Sequence, residues 1–292
     1  MFTHKRLTEV FRSAKEIPFD DTSKFIFFSD CHRGDSGWAD DFAPNQNLFF
    51  YALKQYYKNG FTYIEIGDGD ELWENKNFED IISAHNHIFW LLRKFYDDKR
   101  FYLIIGNHDD VRKSPKYVSR RFSNFQGDRA RKIQALFQEI EVHDGLLLKH
   151  TTTGKKIFVV HGHQGDLWNT YLAGVSRFMV RYFWRRFQAL GINDPTSPAQ
   201  NYIKRENIQK KLIEWVRKNN QIVIAGHTHL PIFPERDDDP PYYNDGSCVH
   251  PRGITGIEIE NGEIALIKWW LEPNDKGALY VTREVMAGPR KL

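Results

Sequence analysis

Five short apolar runs, each broken off by carboxylates, imidazoles or amides, constrain this 292-residue chain more than any other feature. Residues 24–29 (KFIFFS) stop at Asp30 and His32, 62–66 (TYIEI) at Gly67-Asp68, and 101–105 (FYLII) at Gly106-Asn107-His108-Asp109. Residues 156–160 (KIFVV) stop at His161-Gly162-His163, and 221–225 (QIVIA) at Gly226-His227-Thr228-His229. Runs of this length, rich in β-branched and aromatic residues and bounded by turn formers, read as buried strands. Apolar residues spaced by three and four place helices over 47–58, 78–98 and 128–141. Strands alternating with helices predict a layered α/β architecture. Near the C-terminus, 254–260 and 263–271 flank Asn261-Gly262 and read as a hairpin with a type I′ turn. The Pro- and Asp-rich stretch 231–245 reads as a loop.

Composition removes several classes of function. Lys and Arg number 41 against 38 Asp and Glu, a net charge of +3, too mild for bulk electrostatic binding to nucleic acid. No apolar run approaches the length of a transmembrane helix, and the first twenty residues lack the apolar core of a secretory signal. Two cysteines, Cys31 and Cys248, cannot build a disulfide framework, so the expected setting is cytoplasmic. The whole chain, 1–292, is expected to form one domain. One stretch breaks its alternation: 164–218 holds two helical segments before the next strand and carries ten Lys/Arg against four acids.

The residues that end the strands share a chemistry. In open α/β sheets, ligands bind outside the carboxyl ends of the strands. There the chain would gather Asp30, His32, Asp68, Asn107, His108, His161, His163, His227 and His229, including six of its twelve histidines. Carboxylate, imidazole and amide oxygen suit Mn, Fe, Zn or Co, and the absence of a ligating thiol disfavours structural zinc. On extended backbone, Asp-x-His and His-x-His would point both side chains of each pair the same way. About seven ligands without a thiol are most economically used by two ions sharing one carboxylate. Two such ions clamp the attacking and leaving oxygens of a displacement at phosphorus. Taken singly, each block is compatible with an ordinary turn; their joint occurrence after five strands carries the reading.

Together, Asp30-Cys-His32, Gly67-Asp68-x-x-Glu71, Gly106-Asn107-His108-Asp109, His161-Gly-His163 and Gly226-His227-Thr-His229 resemble the signature blocks of the calcineurin-like metallophosphoesterases. The resemblance implies a four-layer α/β/β/α sandwich with a dinuclear centre and water-mediated hydrolysis of a phosphoester. It assigns Asp30, His32, Asp68 and His229 to one metal, and Asp68 as bridge with Asn107, His161 and His227 to the other. It makes His108 the general acid or hydrogen-bond donor at the leaving oxygen. The family often has Asp where Glu71 stands, so either Glu71 or the neighbouring Asp70 is expected to orient His108. Mn is the expected metal, with Fe, Zn or Co as alternatives.

Within this superfamily, Gly67-Asp68-Gly-Asp-Glu71-Leu-Trp73 is similar to the Gly-Asp-x-Phe-Glu-x-Trp of UDP-2,3-diacylglucosamine diphosphatases. The insertion at 164–218 also stands where those enzymes carry a helical cap. Their third block usually reads Gly-Asn-Arg-Asp, however, and they are typically shorter. Arg177, Arg181 and Arg185 recur every four residues among Phe178, Tyr182, Phe183, Trp184 and Phe187. They read as a solvated face over core-packed rings, as a cap that meets substrate phosphates, or as a peripheral contact with anionic membrane. Arg33 and His163 are further candidates for substrate contact, with a supporting role for His163 as the alternative. The expected partner is a phosphorylated small-molecule or lipid-linked substrate; phosphoprotein phosphatase, nucleotide phosphodiesterase or nuclease, and non-catalytic binding protein are the rivals.

Overall fold

The computed structural model describes residues 2–122, 135–165 and 202–292. Two sheets face each other. One runs in the order β1 (Lys15–Phe19), β6 (Gly145–His150), β7 (Lys156–Val160), β8 (Ile222–Ala225), β9 (Tyr242–Asn244). The other runs β12 (Leu279–Lys291), β11 (Glu263–Pro273), β10 (Ile254–Glu260), β2 (Phe25–Phe28), β3 (Thr62–Ile66), β4 (Phe101–Ile104), β5 (Val142–His143).

The continuous apolar runs are explained by burial on both faces. Along β2, Phe25 and Phe27 enter the core between the sheets, while Ile26 and Phe28 face a helical layer. Along β7, Ile157 and Val159 point inward, while Phe158 and Val160 point outward. Helices α2 (Gln46–Lys58), α3 (Phe78–Ala84) and α4 (Asn86–Asp97) cover the seven-stranded sheet. Helices α1 (Phe2–Ser13) and α6 (Tyr202–Asn219) cover the five-stranded one through Leu7, Ile208, Leu212, Trp215 and Val216. A short helix, α5 (Pro115–Arg121), follows β4. This is a layered α/β sandwich of two sheets flanked by helices. The described part of the stretch 164–218 therefore includes a helix packed on a sheet, while 166–201, with Arg177, Arg181 and Arg185, lies outside the described residues. No helix among the described residues is long and apolar enough to cross a membrane.

Several expectations need correction. The helix expected over 78–98 breaks at His85, where φ −116° and ψ 34° leave the helical region. His85 is buried and its Nε2 lies 2.8 Å from Asp40 Oδ2, so a tertiary hydrogen bond overrides the periodicity there. Residues 135–141 form turns rather than the expected helix; the rest of that helix falls outside the described residues. Strand β9 emerges from the presumed loop 231–245 and pairs in parallel with β8. The Asn261-Gly262 turn forms as expected, with φ of 55° and 70°, but β11 also pairs along its other edge with β12.

Asp40 gives a test of the loop that leaves β2. Its carboxylate accepts from the backbone N–H of Ser36, Phe42 and Ala43 as well as from His85. Burial opposes ionisation, but His85 and the backbone donors outweigh it and hold the pKa below its usual value. A depressed carboxyl pKa contributes stability above the ordinary value near ~4 that is lost as pH falls through the folded value. Asp40→Asn should therefore cost about 2 kcal/mol at pH 7. In urea titrations the deficit should persist from pH 7 to 5 and close below about pH 4; a deficit independent of pH would contradict this assignment.

Candidate metal centre

Parallel pairing of β2, β3 and β4, and of β7 and β8, brings the expected blocks to one edge of the sandwich. Beyond the strands, the loops continue to bond to one another. The N–H groups of Asp30, His32 and Arg33 donate to the carbonyls of Gly67, Asp68 and Gly69 at 2.9–3.1 Å, and Gly226 N donates to His161 O at 3.0 Å. A bond from His227 N to Asp30 Oδ2, 2.8 Å, links the loops of the two sheets. The backbone here is not the extended chain that the Asp-x-His spacing suggested. Asp30, His32, Asp68, His227 and His229 all have positive φ, between 47° and 69°. Such conformations are costly for non-glycine residues and concentrate at functional sites.

Three groups of possible ligand atoms result: Asp30 with His32 and His229, and Asp68 with His161 and His227, which hold the expected ligands, and a third, His32 with Glu71 and His108. His229 Nε2 lies 3.0 Å from Asp30 Oδ1, and His161 Nε2 lies 3.1 Å from Asp68 Oδ2. Asp68 Oδ2 is also 4.0 Å from His32 Nε2, so this oxygen faces both groups. Asp30 Oδ1, His32 Nε2, His161 Nε2 and both amide atoms of Asn107 are buried without a hydrogen bond. Leaving such atoms unsatisfied costs about 1–3 kcal/mol each, a cost that a coordinated cation removes for the oxygens and bare ring nitrogens, the Asn107 amide NH2 being a donor. The other ring nitrogen of His161 is already committed. His161 Nδ1 donates to the Ile66 carbonyl at 2.7 Å, which fixes its tautomer and leaves Nε2 bare. Burial disfavours charge at Asp30 and Asp68, yet the surrounding imidazoles hold both carboxyls well below their usual range, ionised and ready for a cation. The residues thus fit two oxygen- and nitrogen-ligated ions.

His108 stands beside this centre. Its N–H donates to Asp68 Oδ1 at 2.8 Å, its ring stacks on Trp73 at 4.3 Å, and its Nδ1 lies 2.6 Å from Glu71 Oε2. The same Glu71 oxygen lies 3.0 Å from His32 Nδ1, while Oε1 accepts from the N–H of Trp73 and Glu74. Glu71 is held at about 2 because His108 and His32 outweigh its burial. Burial lowers the pKa of His108, but Glu71 and Asp68 reverse the sign and raise it. Glu71, not Asp70, contacts His108.

Asp70 and Arg33 require correction. Asp70 accepts from Arg33 Nε at 2.6 Å and from Arg112, beneath the centre. Arg33, expected as a substrate contact, is 1% exposed and spends both terminal nitrogens on Glu65 at 2.8 Å. His163 is buried with its ring 5.5 Å from that of His161, and burial and His161 push its pKa well down. The sequence reading missed Ser29, whose hydroxyl donates to Asp245 at 2.7 Å, and gave no role to Asp109 and Arg112. Asp109 accepts from Gly106 N at 2.7 Å. Asp109 was visible inside its block; Arg112 carried no motif signal. Asn244, at the end of the stretch expected as a loop, donates to Gly226 O at 2.7 Å and so supports the loop of His227.

Gly106 shows how tightly the loops are laid together. A Cβ there would lie 2.0 Å from Asp68 Oδ1 and 2.4 Å from Asp68 N. Gly106→Ala must therefore displace Asp68, and should weaken Mn²⁺ binding by at least about 10-fold in calorimetric titration. Wild-type affinity in that variant would contradict the placement of Asp68.

A two-sheet sandwich with paired ligand clusters at its strand ends is the architecture of a metallophosphoesterase. Residues 23–231 match the model of the calcineurin-like phosphoesterase family, and the chain belongs to that family, whose members bind a dinuclear metal site. Among solved structures it is similar to Chaetomium thermophilum Vps29, with 8% identity and a TM-score of 0.41 over 91% of this chain and 96% of that one. It is also similar to a cold-active protein tyrosine phosphatase of a psychrophilic Shewanella species, with 14% identity and a TM-score of 0.36 over 94% and 82%. Plasmodium GAP50 shares 13% identity, with a TM-score of 0.40 over 92% and 90%. No curated protein matches the sequence.

Proposed function

We propose that the protein is a phosphoesterase dependent on two divalent ions, Mn²⁺ foremost, and that its substrate is a pyrophosphate resembling a UDP-diacylglucosamine. The observation that carries the activity is the convergence of buried, unsatisfied ligand atoms beside His108. Asp30, His32, Asp68 and His229 would hold one ion; Asp68, Asn107, His161 and His227 would hold the other. Bound there, the ions supply the Lewis acidity that activates water at neutral pH and offsets charge on the transferring phosphoryl group. The chain's own contribution is orientation and proton supply. Glu71 and Trp73 fix the His108 ring, and His108 presents Nε2 to the leaving oxygen as proton or hydrogen-bond donor. The side chains of His32, His229 and His108 are 11%, 14% and 19% exposed, which supports entry of substrate from their side.

The substrate assignment is supported by the Gly67-to-Trp73 block and the position of the insertion. In this reading Arg177, Arg181 and Arg185 meet substrate phosphates and His163 backs the second metal position. Hydrolysis of bis-p-nitrophenyl phosphate, p-nitrophenyl phosphate, a phosphotyrosine peptide and a UDP-linked acyl sugar, each with Mn²⁺ and with chelator, tests it. Preference for the UDP-linked substrate supports the proposal, and faster turnover of the peptide or the diester would replace it. Arg177→Ala, Arg181→Ala and Arg185→Ala together should raise KM for the preferred substrate; unchanged KM removes the cap contact.

A further inference from the structure

Beneath the metal centre lies a charged network that the proposed chemistry does not use. Glu65 on β3 takes both terminal nitrogens of Arg33 at 2.8 Å and the Tyr63 hydroxyl at 2.9 Å. Arg33 Nε reaches Asp70 at 2.6 Å, Asp70 accepts from Arg112, and Arg112 Nη1 reaches Asp109 at 3.1 Å. Asp109 then closes onto the N–H groups of Gly106 and Gly69. Every charged member is at most 1% exposed. Arg33 lies over the Phe89 ring, and Arg112 lies near the rings of Phe78 and Phe122.

The members are distributed among the ligand-bearing loops. Arg33 follows His32, Asp70 lies between Asp68 and Glu71, and Asp109 follows His108. Gly106 and Gly69, which Asp109 holds, immediately precede Asn107 and follow Asp68. Burying five charges is not an efficient route to stability, since apolar residues of similar volume often serve as well. Planar guanidinium forks, in contrast, fix angles as well as distances.

We infer that Arg33 and Arg112, through Asp70 and Asp109, are positioning residues that set His108 and Glu71 against the ligand carboxylate Asp68. The inference rests on the phosphoesterase reading for its kinetic consequence only. Misplacing a reacting group by about 1 Å can cost about 100-fold in rate.

The test is Arg112→Met combined with Asp109→Asn, which removes one charge of each sign and keeps an acceptor for Gly106 N–H. Thermal melts and metal analysis establish that the variant is folded and binds two Zn²⁺. In the zinc-loaded wild type, the proton between His108 Nδ1 and Glu71 should give a downfield NMR resonance, to be assigned by its absence in His108→Ala. The double variant should shift or lose that resonance. With Mn²⁺, its kcat should fall about 100-fold while KM changes less than about threefold. An unchanged resonance overturns the inference whatever the activity, and so does an unchanged kcat or the loss of bound metal. Arg112→Lys, which keeps the charge without the fork, should recover only part of the rate; full recovery would show that charge alone suffices and overturn it. If the double variant does not fold, Arg33→Met with Glu65→Gln removes the other ion pair and is read by the same criteria. A wild type that hydrolyses none of the esters defeats the phosphoesterase reading, while the resonance still decides whether the network positions His108.

Discussion

His108→Ala should lower kcat toward an activated phosphodiester by about 100- to 10,000-fold, the range for removal of a positioned acid or base. Both metals should stay bound. The separation follows from the proposed assignment: His108 clusters with His32 and Glu71, but its ring is engaged by Glu71 and Trp73, whereas the expected ligands fall in the groups Asp30, His32 and His229, and Asp68, His161 and His227. The loss should shrink as the leaving group becomes more acidic, because a better leaving group needs less help from a proton donor. Steady-state kinetics with a series of aryl phosphates, alongside metal analysis, measures both effects. Equal loss of metal and of turnover would place His108 among the ligands instead.

The opposite pattern is expected for Asp68→Ala. Asp68 Oδ2 faces His32 of one group and His161 of the other, and Oδ1 accepts the N–H of His108. On the proposed assignment its removal takes away the carboxylate shared by both ions and leaves clustered imidazoles without that anion. Metal content should fall below one ion per chain and turnover by at least about 1,000-fold, the scale of several kcal/mol of lost charge stabilisation. Asp30→Ala should be milder in metal content, since Asp30 belongs to one group alone. Two tightly bound ions in Asp68→Ala would disprove the bridging assignment.

Much of this was legible in the sequence for a physical reason. Strands such as Phe25–Phe28 and Lys156–Val160 are covered on both faces, so their apolar runs are continuous and their ends abrupt. The ligand candidates appeared where those runs stop. Less legible were choices between sequence neighbours. Asp70 and Glu71 adjoin in the chain, yet one points down to Arg33 and Arg112 and the other toward His108. That choice depends on side-chain direction in an irregular turn, to which periodicity is blind. Arg33 looked free for substrate because its partners, Glu65 and Asp70, lie more than thirty residues away. Strand β12 was hidden because it is an edge strand, mostly exposed and carrying charge, and so lacks the apolar signal of an interior strand. The left-handed conformations of Asp30, His32 and Asp68 were equally hidden, since aspartate and histidine tolerate that region better than most residues but do not require it.

Metal titration of the stripped protein tests the dinuclear account most directly. Chelated and desalted enzyme should be inactive toward bis-p-nitrophenyl phosphate, regain turnover as Mn²⁺ is added, and reach its plateau at two equivalents per chain. Turnover that survives chelation, or a plateau reached at one equivalent, would contradict it.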